Sequence, residues 1–314
     1  MPVSLFNEGI PISSGTRLNK EVKMADEKKI LVTGATGLSG KHVLRQLLAK
    51  GHQVRALAHK EDDRSKELQK LGAEVVYGDL LNLNDARAAV KGARSAYFVY
   101  PLQPTIVGAS VSLAQAAKEE GLELIVNMSQ LPARPDAESP ASLNHFLGEQ
   151  ALNWSGVPTT HLRATFFIEW LLWIAPIIRQ GKMIMPWGAD SRYTPVTTED
   201  LARAIVSILE APKAHAGKTY YLVGPEQLSY NEVAEVLGKV LDKAIPYLQM
   251  EAGAFADMLG MGGYTYFKDH CKSVTKELAN GVFEVQNRLI EEITGSPPMT
   301  VEAFVTKYRS QFAG

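Results

Sequence analysis

KILVTGATGLSG, residues 29–40, passes within a dozen positions from a β-branched apolar run to a glycine-rich turn and then into a helical pattern. Gly34, Gly37 and Gly40 recur every third position, the Gly-x-x-Gly-x-x-Gly form of a phosphate-binding turn. Gly34 permits the tight turn, and Gly37 lets backbone N–H groups approach a pyrophosphate. Gly40 lets the helix pack on the sheet. Ala35, Thr36, Leu38 and Ser39 complete the turn, and the helix start supplies partial positive charge for phosphate. A glycine triplet alone is a weak signal, but here a strand precedes it and an amphipathic helix follows.

Outward from this turn, strand and helix patterns alternate. QVRALA (53–58), EVVY (74–77), SAYFVY (95–100), LELIVNM (122–128) and TTHLR (159–163) read as strands. Between them, 65–71, 84–91, 105–120 and 144–154 read as helices. This order predicts βαβ crossovers and an α/β fold, a Rossmann-type doubly wound parallel sheet with a smaller C-terminal α/β lobe. Residues 1–24 read as a flexible extension, 25–164 as the NAD(P)-binding domain and 165–314 as a substrate lobe. Residues 190–225 are expected to return to the sheet, through a helix at 198–210 and a strand at 219–223. Gly260, Gly262 and Gly263 suggest a mobile connection in the lobe.

Composition removes several function classes. Lys and Arg number 33 against 34 Asp and Glu, a balance that argues against direct nucleic-acid binding through a broad basic surface. The single cysteine, Cys271, cannot form an internal disulfide or a multi-cysteine zinc site. The seven histidines show no metal-ligand spacing, and no Gly-x-Ser-x-Gly elbow occurs. No apolar run reaches the ~20 residues that span a bilayer, because Glu169 and Pro176 interrupt the most apolar stretch. The N-terminal segment lacks an apolar signal core, so a cytoplasmic location is expected.

The strand ends nominate the binding residues. His59 and Lys60 follow the second strand and Arg64 lies one turn on, a set that favours the 2′-phosphate of NADP(H) over NAD(H). Asp79 and Leu80 follow the third strand, where Asp79 would bond an adenine amino group. Tyr100 and Pro101 follow the fourth, beside the expected nicotinamide ribose. After the sixth strand, Phe166, Phe167, Trp170 and Trp187 are expected to wall a site for a flat acceptor, although Phe166, Trp170 and Trp173 also fit core packing at helical spacing.

Gly34-Ala35-Thr36-Gly37, Val54-Arg55-Ala56-Leu57, Gly78-Asp79-Leu80 and Thr165-Phe166-Phe167, in that order, resemble the atypical NmrA-like branch of the short-chain dehydrogenase/reductases. The likeness runs from about Lys29 to the C-terminus. Within the branch the chain resembles bacterial NADPH:quinone reductases, in which a fifth-strand serine precedes a His-x-x-x-Glu helix; the matching residues are Ser129, His145 and Glu149. The wider superfamily uses a Tyr-x-x-x-Lys pair for acid/base work, and His145 and Glu149 stand in its place. The one literal match, Tyr264 to Lys268, lies far outside the expected position and reads as coincidence. The resemblance implies hydride transfer to a quinone or similar flat conjugated acceptor, with His145 as proton donor or hydrogen-bond donor and Glu149 either orienting it or lying on the surface. It also implies an alternative, a non-catalytic NADP(H)-binding redox sensor acting through a protein partner. A small-molecule acceptor and a monomeric or homodimeric state are expected.

Overall fold

The computed structural model describes residues 28–313; the extension assigned to residues 1–24 lies outside them. Seven parallel strands form the central sheet in the order β3-β2-β1-β4-β5-β6-β9. They are β1 (Lys29–Val32), β2 (Val54–Ala58), β3 (Glu74–Tyr77), β4 (Ala93–Phe98), β5 (Leu124–Gln130), β6 (Thr159–Ala164) and β9 (Thr219–Leu222). The order reverses between β1 and β4, which opens a crevice at their carboxyl ends.

The pleat sorts the core. Ile30, Val32, Leu124 and Val126 point to one face, while Leu31 and Ile125 point to the other. The first face is covered by the helices Leu38–Ala49 and Thr198–Glu210, the second by Leu83–Val90, Ile106–Glu120 and Pro140–Trp154. Both faces are therefore dry, and the central strands need the near-continuous apolar runs that they carry. Arg55, buried in β2, donates to the carbonyls of Ala89 and Lys91 at the end of the helix Leu83–Val90 and to Glu74 at 3.0 Å. It satisfies carbonyls that a helix end leaves free.

Some element boundaries differ from the sequence reading. The helix expected at 144–154 begins at Pro140, because Ser139 caps it by accepting from the Ser142 N–H at 3.3 Å and Pro140 occupies the first turn. β5 runs two residues further, to Gln130, since β6 continues alongside it to Ala164. The apolar stretch after β6 forms two short helices, Trp170–Trp173 and Ala175–Arg179, broken at Ile174.

The chain leaves the sheet after β6 and returns with the helix Thr198–Glu210 and β9, which pairs in parallel with β6. The rest builds a second core around Ile178, Met185, Leu237, Phe255 and Phe304. Two small sheets edge this core: β7 (Met183–Met185) with β11 (Tyr247–Gln249), and β8 (Arg192–Tyr193) with β10 (Leu228–Ser229). Among the described residues no helix is long and apolar enough to cross a membrane.

Candidate functional site: a two-part crevice at the strand ends

The glycine turn is set by contacts that no other residue allows. Gly34 has φ +55°, and a Cβ there would stand 2.7 Å from Val99 Cγ1. At Gly40 a Cβ would fall 2.2 Å from the Gly34 carbonyl oxygen, so the helix rests directly on the turn backbone. The Gly37 N–H closes the turn by donating to the Gly34 oxygen at 2.9 Å. Thr33 then locks β1 to β4: its Oγ1 donates to the Val99 carbonyl and accepts the Val99 N–H, each at 2.9 Å.

The helix Leu38–Ala49 starts at Gly37 with no side-chain cap and no acidic residue in its first turn. Its leading N–H groups and positive dipole end are left for an external anion. Within the turn, Ala35 is buried and Ser39 turns inward to Tyr97 at 2.8 Å. Gly34 and Thr36 line the opening, and Gly37 and Leu38 are exposed.

From the turn, a cleft of about 540 Å³ runs over the ends of β1 to β4, past His59, Asp79, Leu80, Tyr100 and Pro101. The Asp79 carboxylate is anchored by the Leu81 N–H at 2.9 Å, and the Tyr100 hydroxyl meets Thr105 Oγ1 at 3.2 Å. Lys60 and Arg64 are exposed and do not line the cleft. Arg64 folds back on Asp62, with Nη2 at 2.8 Å, while Asp62 caps the helix Asp63–Lys70.

A second cavity, of about 270 Å³, continues from the first through Val99 and Tyr100, which line both. Ser129 and Gln130 from β5 and Thr165 after β6 form its polar floor. Phe166, Phe167, Trp170 and Phe283 give it aromatic walls, and His145 and His270 also line it. Ser129 Oγ, Gln130 Nε2 and Thr165 Oγ1 are buried without a hydrogen-bond partner. Buried polar atoms are costly when unpaired, so three together at the strand ends call for a polar ligand. The carboxamide and ribose of a nicotinamide nucleotide offer matching donors and acceptors, and the uncapped helix start offers a pyrophosphate site. The residues present fit that group.

The structure changes the roles of three residues. Glu149 neither orients His145 nor lies on the helix surface: it is 2% exposed and holds Arg163 of β6 through Nε at 3.0 Å and Nη2 at 2.6 Å. Helical i, i+4 spacing places it one turn from His145, but the arginine on the neighbouring strand takes both carboxylate oxygens. Trp187 does not line the cavity; it is buried behind Phe166, with ring centroids 4.7 Å apart, and backs the wall. His145 keeps an edge on the cavity, yet burial within this confined site, and secondarily the neighbouring His270, pushes its pKa down to about 3. It is neutral at pH 7, which leaves it available for hydrogen bonding and removes an imidazolium acid from the cavity.

His270, Gln130 and Phe283 complete the site without having been singled out from the sequence, which marked Thr165 only as part of a family motif. The neighbouring Cys271 is buried, and burial pushes its thiol up to about 12, which removes it as a nucleophile. The Tyr264 hydroxyl donates to the Leu102 carbonyl at 2.7 Å, and Lys268 pairs with Asp257 at 2.9 Å. Among the described residues no cluster of His, Cys, Asp and Glu could hold a metal ion.

The strand order, the glycine turn and the crevice at the switch point define a dinucleotide-binding protein of Rossmann type. The chain belongs to the NmrA-like family, whose model matches residues 26–304. It is 29% identical to an NAD(P)H azoreductase of Xenophilus azovorans over 90% of this chain and 99% of that protein. It is 31% identical to a (4-alkanoyl-5-oxo-2,5-dihydrofuran-3-yl)methyl phosphate reductase of Streptomyces griseus, over 72% of this chain and 78% of the relative. The fold is shared with an NADPH-dependent quinone oxidoreductase of Escherichia coli solved with NADPH, at a TM-score of 0.78 and 22% identity. That match covers 89% of this chain and 99% of the other.

Proposed function

We propose that the chain is an NAD(P)H-dependent reductase that passes a hydride to a quinone or a similar flat, conjugated acceptor, with NADP(H) preferred over NAD(H). One observation carries the reading: the polar, unpaired floor of Ser129, Gln130 and Thr165 opens directly onto an aromatic wall in one continuous crevice. The azoreductase and reductase relatives support it. Preference for the 2′-phosphate rests on His59, Lys60 and Arg64 beside the cleft, with the exposed Arg64 free to leave Asp62.

A reduced nicotinamide, when bound, supplies the hydride. The protein's part is to position and to exclude water. The glycine turn and the helix start hold the pyrophosphate, and Ser129, Gln130 and Thr165 hold the polar edge of the nicotinamide end. Phe166, Phe167 and Trp170 give flat faces for an offset-stacked acceptor. An acceptor that received a hydride would need one further proton, which water at the cavity mouth would supply. His145 donates a hydrogen bond to the acceptor atom that takes up charge. No Tyr-Lys pair is required, because no hydroxyl proton has to be removed.

Mixing the purified chain with NADPH or NADH and a simple quinone, and following nicotinamide absorbance, tests this. Acceptor-dependent oxidation, faster with NADPH, is expected. Tight NADPH binding without turnover across several quinone and azo acceptors would overturn the reductase reading in favour of a redox-sensing binding protein.

A further inference from the structure

His270 reaches the acceptor cavity from the helix Thr265–Ala279. Its Nδ1 lies 2.7 Å from Ser139 Oγ. Ser139 is 0% exposed, and its oxygen already accepts the Ser142 N–H. The hydroxyl proton needs an acceptor of its own in this dry position, and Nδ1 is the one within reach. The ring proton of neutral His270 is therefore on Nε2, the nitrogen that has no protein partner among the described residues.

The same hydroxyl caps the helix Pro140–Trp154, which carries His145. Asn144, next to His145, donates to the Tyr266 hydroxyl at 3.1 Å and pins this helix to the one that carries His270. Two imidazoles from separate elements are thus held against one cavity, with a single buried hydroxyl fixing both a helix start and a tautomer.

Resting on the reductase reading, we propose that His270 is a second acceptor-contacting residue. Its Nε2–H donates to the oxygen or nitrogen that gains charge on reduction, and Ser139 is the positioning residue that keeps the proton on Nε2. Burial pushes His270 down to about 4, so the ring remains a neutral donor at working pH. A donor already aimed at developing charge, inside a site that excludes bulk water, strengthens when the charge appears.

The test uses the full chain and three readouts. Nitrogen-15 histidine spectra of the unliganded protein should show His270 as the Nε2–H tautomer, and Ser139→Ala should mix the two tautomers. Affinity of the NADP⁺-loaded protein for anthraquinone-2-sulfonate should fall about 10-fold in His270→Phe and recover partly in His270→Gln. The kcat/KM for a quinone should fall about 10- to 100-fold in His270→Phe, with NADPH affinity unchanged. An Nδ1–H tautomer, or wild-type acceptor affinity and kcat/KM in His270→Phe, would overturn the proposal. If the wild-type chain bound the probe through His270 but never turned over, the hydrogen bond would stand and the reductase reading would fall. If the wild-type chain did not bind the probe, both would fall.

Discussion

Glu149→Ala should unfold this protein more readily without disabling its chemistry. The carboxylate is 2% exposed and holds both donor edges of Arg163, at 3.0 and 2.6 Å. Removing one partner of a buried pair costs ~3–5 kcal/mol, because the remaining charge loses its compensation. Arg163 keeps the Tyr221 hydroxyl at 3.1 Å and stands over that ring at 5.7 Å, and its side chain is 17% exposed. Those contacts place the loss at the lower end, ~3 kcal/mol. An unfolding entropy of ~2.1 cal/mol/K per residue amounts to ~0.6 kcal/mol/K for a chain of this size, so Tm should fall by ~5 °C. Thermal and urea unfolding would measure the loss, and quinone turnover well below Tm would check the chemistry. Glu149→Leu combined with Arg163→Met should lose less than Glu149→Ala, since apolar replacement removes the stranded charge. A stability loss below ~1 kcal/mol together with a ~100-fold fall in kcat would refute the argument and return Glu149 to the cavity.

Gly40→Ala should weaken NADPH binding at least ~10-fold and cost ~1–3 kcal/mol of stability, because its Cβ would press on the Gly34 carbonyl at 2.2 Å. Titration calorimetry of the folded variant checks this, and wild-type affinity would mean that the turn can shift without harm. Lys60→Ala with Arg64→Ala should lower the NADPH-to-NADH affinity ratio ~10-fold, as loss of charge-assisted bonds to a phosphate requires; an unchanged ratio would end the 2′-phosphate assignment. Acid should destabilise the fold through His145 and His270, which sit near 3 and 4 when folded against ~6.5 unfolded. The unfolded chain binds more protons below pH ~6.5, so this stability is present above that pH and is lost as pH falls toward 4 and then 3. At pH 5 each ring contributes up to ~2 kcal/mol of loss, reduced by water in the cavity. His145→Gln with His270→Gln should therefore flatten the fall between pH 7 and pH 5 by ~2 kcal/mol, and parallel pH–stability curves would contradict it.

The nucleotide half was legible because its signals are local. KILVT, the three glycines and the following helix are contiguous, and the dry sheet demands apolar strands that stand out in any window. The start of the helix at Pro140 was equally available, since Ser139-Pro140 is a capping pair, but the apolar periodicity drew the boundary inward. Glu149 was misread because spacing along a helix shows which residues share a face and not which strand lies beneath it. Trp187 shows the same limit: aromatic clustering marks a wall without saying which ring faces the cavity and which stands behind it. His270 carried no signal, being one polar residue on an amphipathic helix far along the chain, joined to the site only by the packing of the second core.

The loop after β6 is held by its backbone. Phe167 bridges Val196; the Val196 N–H donates to the Phe166 carbonyl at 3.0 Å, and the Ile168 N–H donates to the Val196 carbonyl at 2.9 Å. Glu169 anchors the far end, accepting the Thr198 N–H at 2.8 Å and its hydroxyl at 2.7 Å. Main-chain bonds are indifferent to the side chains they carry, so Phe166 and Phe167 can be exchanged while the loop keeps its path. The route of the acceptor wall is thereby fixed apart from its shape: a new side chain at Phe166 must repack against Trp187, Tyr193 and Phe283, but it need not rebuild the loop.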